Sequence, residues 1–257
     1  MSNPDKYATA VVIDRRDLCD DLWVVRLRTD CELPFRPGQY ATLGLELNGK
    51  VVERPYSIVS APEETDVEIF IELVPEGALT SHLYRLGTGD EILVRRKTKG
   101  LFLRNTPVDG QAHLFVATVT GIAPFVSFLR RLAARWRAGE WSTEQRITLL
   151  QGASRSYEFG YLDEMRAMAA EVPWFEYVPT VSRPWEDPEW RGETGRVEDV
   201  LRKYADAAGI APGSGAVYLC GHPGMIATGR AIMRRRGLND DSEIFEEQYW
   251  PDTKAAS

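Results

Sequence analysis

Val67-Glu68-Ile69-Phe70-Ile71-Glu72-Leu73 alternates with a period of two, so that Val67, Ile69, Ile71 and Leu73 fall on one face. That is the signature of a half-buried β-strand. Working outward, similar runs occupy residues 22–27, 40–47, 51–59 and 91–94. Turn-forming residues separate them: Pro37-Gly38, Asn48-Gly49, Ala61-Pro62 and Gly87-Thr88-Gly89-Asp90. Many short strands at this spacing predict a small antiparallel β-barrel. One helix, over 80–86, is expected to interrupt it.

After about Pro107 the period changes. Apolar strand candidates at 113–119, 147–151, 175–181 and 216–220 alternate with helical stretches at 123–136, 161–170, 197–205 and 225–236, and 243–246 reads as a last strand. Repeated strand–helix units predict an α/β doubly wound parallel sheet, which binds ligands beyond the carboxyl ends of its strands. The expected division is a barrel domain over 1–106 and an α/β domain over 107–257 that carries a C-terminal tail. The boundary falls near residues 104–111.

The chain has 257 residues, 44% of them hydrophobic and 27% charged, as in an ordinary globular protein. No apolar run reaches the roughly 18 residues of a membrane span, and the first residues lack the apolar core of a signal peptide. These features predict a cytoplasmic protein without a membrane partner. Cys19, Cys31 and Cys220 form no CxxC pair and no iron–sulfur ligand set, so redox chemistry here requires an organic cofactor, and no metal is expected. The net charge of −7 argues against a nucleic-acid partner.

Several short stretches carry chemistry. In Arg54-Pro55-Tyr56-Ser57 the guanidinium can grip a pyrophosphate bidentately, the tyrosine can lie along a flat ring system, and the serine hydroxyl can reach a reactive ring atom. Gly77-Ala78-Leu79-Thr80 lies between a strand and a helix, where free backbone N–H groups suit a phosphate, although an ordinary helix cap reads the same way. Thr120-Gly121-Ile122-Ala123-Pro124 follows the first strand of the second half. There Gly121 permits a tight turn and Pro124 opens a helix, giving a second phosphate cradle. Cys220-Gly221 ends a later strand, where a small soft side chain can pack beside a nicotinamide or simply fill the core. Ser182, Arg183 and Arg196 gather near another strand end. They are suited to the 2′-phosphate that distinguishes NADP from NAD, with a solvated loop as the plain alternative. The basic runs 95–99 and 234–236 read as solvated faces or as docking sites for an acidic partner.

Taken in order, RPYS, GALTSHL, TGIAPF, the SR…GETGR pair and YLCGHPGMI resemble the bacterial ferredoxin/flavodoxin–NADP reductases of the ferredoxin–NADP reductase superfamily, over essentially the whole chain. The resemblance implies an FAD-binding barrel followed by an NADP-binding domain. By match, Arg54, Pro55, Tyr56 and Ser57 hold FAD, with Ser57 near the flavin N5, and Gly77, Ala78, Leu79 and Thr80 form its pyrophosphate turn. Thr120, Gly121, Pro124, Ser182, Arg183, Arg196 and Gly221 bind NADP(H). Cys220 lies beside the hydride path, and Glu247 assists proton movement or orients the nicotinamide.

The chain departs from the family pattern in three places. Val119 replaces the first glycine of a glycine-threonine-glycine turn, and Arg155 stands in for a shifted arginine. The ending that places Tyr249 against the isoalloxazine and Trp250 near the adenine of FAD is followed by seven more residues, 251–257. The implied activity is hydride transfer between NADPH and the flavin, with single electrons exchanged with ferredoxin or flavodoxin by a monomeric enzyme. Two other readings stand beside it: a reductase component that feeds an oxygenase, using NADH, and a non-catalytic flavin- or nucleotide-binding subunit.

Overall fold

The computed structural model describes residues 5–103, 106, 111–144 and 146–248. These residues form two compact units.

In the first unit, β1 (Tyr7–Cys19), β2 (Leu22–Thr29), β3 (Tyr40–Leu47), β4 (Lys50–Ser57), β5 (Val67–Glu72) and β6 (Glu91–Arg95) make one antiparallel sheet in the order β4-β3-β6-β1-β2-β5. Ile58 forms a bridge with Ile69, and the Val59 N–H donates to the Glu68 carbonyl at 2.9 Å, so the two ends of the sheet meet and close a barrel. The predicted strand over 51–59 is therefore two things. Residues up to Ser57 pair with β3, and Ile58 and Val59 cross over to β5. Trp23, Leu27, Leu43, Ile58, Ile69 and Leu79 fill the interior.

β1 is the strand that the sequence period does not announce. Bulges between Val12 and Asp14 and between Asp17 and Cys19 shift its register, which breaks the alternation after Val12. The interrupting helix, α1 (Thr80–Leu83), is shorter than the expected 80–86. Beyond Leu83 the chain continues in single turns, with Arg85 N–H bonded to His82 O and Leu86 N–H to Leu83 O.

In the second unit, β7 (Ala112–Thr118), β8 (Ile147–Ala153), β9 (Phe175–Val181), β10 (Glu193–Thr194), β11 (Gly215–Gly221) and β12 (Ile244–Gln248) form a sheet ordered β10-β9-β8-β7-β11-β12, with every neighbouring pair parallel. Helices α2 (Ala123–Arg137), α3 (Leu162–Glu171), α4 (Val197–Ala207) and α5 (Pro223–Arg235) link the strands. From β7 the chain builds outward through β8, β9 and β10, then returns to the other side of β7 with β11 and β12. The order reverses between β7 and β11, the place at the carboxyl ends of the strands where sheets of this kind leave a crevice for ligands. Leu114, Val116, Leu150, Leu219, Leu201 and Ile226 form the core between this sheet and α4 and α5.

The opening turns of α2, Ala123–Arg131, group with the barrel residues. Ser127 Oγ donates to the Ser60 carbonyl at 2.7 Å, and Arg130 pairs with Glu68 at 3.2 Å and with Glu64 at 3.4 Å. Among the described residues no helix is long and apolar enough to cross a membrane.

Candidate functional site

Within the barrel, β4 carries the Arg54–Ser57 stretch to the corner where the sheet closes. Arg54 lies opposite Leu43 and Tyr56 opposite Ala41, so these two side chains share one face of the strand, and Tyr56 packs against the barrel core. Pro55 is exposed, and Ser57, on the other face, is buried. Arg54 Nη1 donates to the Glu53 carbonyl at 2.8 Å.

Behind it, Glu53 is fixed by Arg95, whose Nε donates at 2.8 Å, and by the Tyr7 hydroxyl at 2.7 Å; Lys6 lies 3.7 Å away. The Arg95 guanidinium is the main cause that pulls the Glu53 carboxyl down to about 2. Arg95 is thus part of the barrel wall, and the exposed basic surface begins at Arg96, Lys97 and Lys99.

The turn before α1 is tightly wound. A Cβ on Gly77 would lie 2.6 Å from Thr80 Oγ1 and 2.9 Å from the Val74 carbonyl, so only glycine fits. Thr80 is buried, and its hydroxyl bonds both the N–H and the carbonyl of Val74 at 3.2 Å. The side chain closes the turn instead of capping the helix. The N–H groups of Ala78, Leu79 and Thr80 open the helix, where backbone donors lack intrahelical partners. Leu79 anchors the turn in the core. A cradle that excludes a Cβ, followed by such N–H groups, fits a pyrophosphate.

In the second unit the crevice at the strand-order reversal is built from two glycines. A Cβ on Gly121 would meet the Cys220 carbonyl at 2.3 Å, and one on Gly221, at φ +128°, would meet Thr118 Oγ1 at 2.2 Å. Thr118 Oγ1 accepts a hydrogen bond from the His222 N–H at 2.8 Å. The turn Val119–Ile122 therefore lies directly against the end of β11, with Thr120 partly exposed and Pro124 in the first turn of α2. Val119 adopts φ 42°, a conformation natural to glycine. The turn thus carries a β-branched side chain on a backbone conformation that favours glycine. Cys220 is fully buried and is the parallel partner of Glu247 in β12. His222 caps α5, its Nδ1 accepting from the Gly224 N–H at 3.0 Å.

The arginines gather at the far side of the same sheet edge. Ser182 and Arg183 follow β9, their N–H groups bonded to the carbonyls of Ala153 and Ser154. Arg196 opens α4. It is brought alongside because the Gly195 N–H donates to the Val181 carbonyl at 2.9 Å and Thr180 Oγ1 donates to the Gly195 carbonyl at 2.8 Å. Arg183 and Arg196 are exposed, and among the described residues their acidic neighbours are distant: Glu186 at 3.8 Å and Glu198 at 3.9 Å. Arg155 is engaged differently, by Glu158 at 3.1 Å and by Glu186.

Trp185, 73% exposed, stands beside Arg183 and was not singled out from the sequence; a tryptophan between Pro184 and Glu186 in a polar loop was the available signal. Tyr249 and Trp250 lie outside the described residues. The run 234–236 is structural in part: Arg234 pairs with Asp240 at 3.0 Å, and Arg236 Nε donates to the Ile210 carbonyl at 2.6 Å.

Comparison with known proteins agrees with this two-domain fold. Residues 9–100 match the oxidoreductase FAD-binding domain model and residues 115–230 the oxidoreductase NAD-binding domain model. The reductase component of phenol 2-monooxygenase from a Pseudomonas species is 31% identical over 255 residues, covering 97% of this chain and 67% of that protein. A ferredoxin–NADP reductase of Pseudomonas aeruginosa is 29% identical over 240 residues, covering 88% of this chain and 89% of that one. The crystal structure of a ferredoxin NADP+ reductase from Neisseria gonorrhoeae with bound FAD and NADP shares the fold with a TM-score of 0.82 at 23% identity, over 95% of this chain and 99% of that one. An FAD-binding domain, a nicotinamide-nucleotide domain built on a parallel sheet, and relatives that match over 88% to 97% of this chain make it an oxidoreductase of the ferredoxin–NADP reductase superfamily.

Proposed function

We propose that the chain is an NADPH-dependent reductase that exchanges single electrons with ferredoxin or flavodoxin, as a monomer in the cytoplasm. The observation that carries the coenzyme choice is the pair Arg183 and Arg196, exposed together at the carboxyl edge of the sheet and only loosely paired. Bound FAD supplies the chemistry, taking up a hydride and releasing electrons one at a time. The protein's part is to bind and orient. Arg54 and the N–H groups of the Gly77–Thr80 turn would hold the FAD pyrophosphate, and Tyr56 and Ser57 would orient its ring system. Thr120, Gly121 and the start of α2 at Pro124 receive the NADP pyrophosphate, and Gly221 gives it room. Cys220 and Glu247, neighbours across β11 and β12, place the nicotinamide. Ser182, Arg183 and Arg196 take the 2′-phosphate, with Arg155 nearby.

The second reading, a reductase component feeding an oxygenase with electrons from NADH, is favoured by the match across 97% of this chain to the phenol 2-monooxygenase reductase component. One experiment separates the two. The purified flavoprotein is reduced anaerobically with NADPH and with NADH, and the same is done for the Arg183→Ala/Arg196→Ala variant. Loss of two charge-assisted contacts remote from the reacting carbon is expected to raise KM for NADPH about tenfold or more and to leave KM for NADH nearly unchanged. Equal losses with both coenzymes, or a wild-type preference for NADH, would replace the first reading by the second.

A further inference from the structure

The loop after β9 is latched to the loop after β8 by two acidic residues. Glu186 accepts a hydrogen bond from Arg155 Nη2 and lies 3.8 Å from Arg183 Nη1. Asp187 Oδ2 accepts from the Ser156 N–H at 2.6 Å. Arg155 is held a second time by Glu158 at 3.1 Å. Of the cations at this edge of the sheet, Arg155 is thus neutralised by carboxylates of the chain itself, and Arg183 faces one. A 2′-phosphate brings about two negative charges to the same place. It must compete with Glu186 for Arg183 and Arg155, and it meets like-charge repulsion from that carboxylate. A ribose 2′-hydroxyl brings no charge and meets neither obstacle.

We infer that Glu186 is a specificity-determining residue: it holds down the preference for NADPH over NADH by occupying Arg155 and by setting a negative charge 3.8 Å from Arg183, where a 2′-phosphate would bind. The inference rests on the assignment of Arg183 and Arg196 to the 2′-phosphate. It adds that the selectivity of this chain is a balance, set against the arginines by a carboxylate three residues beyond Arg183. It also gives the exposed Arg183 a structural partner that a plain phosphate site would lack.

The test uses the FAD-loaded enzyme and two probes that do not react, adenosine 2′,5′-bisphosphate and adenosine 5′-monophosphate, titrated by calorimetry. Glu186→Gln keeps the size of the side chain and removes its charge. It is expected to tighten the bisphosphate about fivefold at low salt, with a smaller gain at high salt, and to leave the monophosphate unchanged. Asp187→Asn loosens the latch without removing the Glu186 charge and is expected to change neither probe. Tightening of both probes by Glu186→Gln, or no tightening of the bisphosphate, overturns the inference. So does equal tightening by Asp187→Asn, which would make loop release the cause. The Arg183→Ala/Arg196→Ala variant separates the two levels. If it binds the bisphosphate as well as wild type does, the 2′-phosphate assignment itself falls and takes this inference with it. If it weakens the bisphosphate while Glu186→Gln changes nothing, only the role of Glu186 falls.

Discussion

At the scale of single residues, Val119 concentrates a conflict between side chain and backbone. Its φ of 42° lies in the left-handed region, where a β-branched residue is an outlier that costs about 1–3 kcal/mol. The conformation is imposed from outside, because the turn is pressed on the end of β11 by Gly121. Val119→Gly should relieve that strain at a smaller cost in unfolded-state entropy, raising unfolding stability by about 1 kcal/mol in a denaturant titration. A loss of stability would show that the valine packing outweighs the backbone strain. Arg54 invites a functional test. Arg54→Ala removes a charge-assisted contact worth roughly 1.5–3 kcal/mol and should raise the FAD dissociation constant about tenfold or more. Unchanged flavin affinity would remove Arg54 from the pyrophosphate clamp.

At the scale of elements, the contact between β4 and β1/β6 depends on one ionised group. Glu53 receives Arg95 and Tyr7, and its carboxyl sits at about 2, below the ordinary value of 4.5. Folded Glu53 binds its proton more weakly than unfolded Glu53. Its contribution, on the order of 2 kcal/mol after solvent screening, is complete above about pH 4.5 and disappears as the pH falls through about 2. Glu53→Gln should therefore be less stable than wild type at pH 7, and the gap should close between pH 4.5 and 2. A gap that persists at pH 2 would assign the effect to packing. The same element shows why part of the basic run 95–99 was misleading. In the sequence Arg95 stands with Arg96 and Lys97, but the pairing Tyr7–Arg95 and Gly44–Glu53 across the sheet turns it into a structural ion pair.

At the scale of the whole molecule, charge distribution matters more than net charge. The chain carries −7, yet Arg96, Lys97 and Lys99 stand exposed on the barrel. Such a local patch steers an acidic protein carrier even against an opposing net charge, and salt screens it. Lys97→Glu with Lys99→Glu should lower the association rate with a ferredoxin or flavodoxin severalfold at low salt. NADPH-dependent reduction of a small neutral dye should be spared. A parallel fall in both rates would place the two lysines in the flavin or nucleotide site instead.

Both architectures are legible in the sequence alone, because hydrophobic period is a local property: period two over 67–73 and strand–helix alternation in the second half survive in the folded chain as β5 and as the parallel sheet. The sequence also determined where the tight turns fall, since Gly77, Gly121 and Gly221 mark places where no Cβ fits. It did not reveal β1, whose bulges scramble the local period, and it did not place the crossing of Ile58 and Val59 from one strand partner to another. Nor could it sort the arginines. Arg95, Arg155 and Arg183 look alike in a string of letters, and what separates them is which carboxylate the fold brings near: Glu53, 42 residues away, for the first, Glu158 and Glu186 for the second, and only a distant Glu186 for the third. Charge pairing acts over a few ångströms in space, so which cations hold the protein together and which stay exposed is settled by the folded chain and not by the order of its residues.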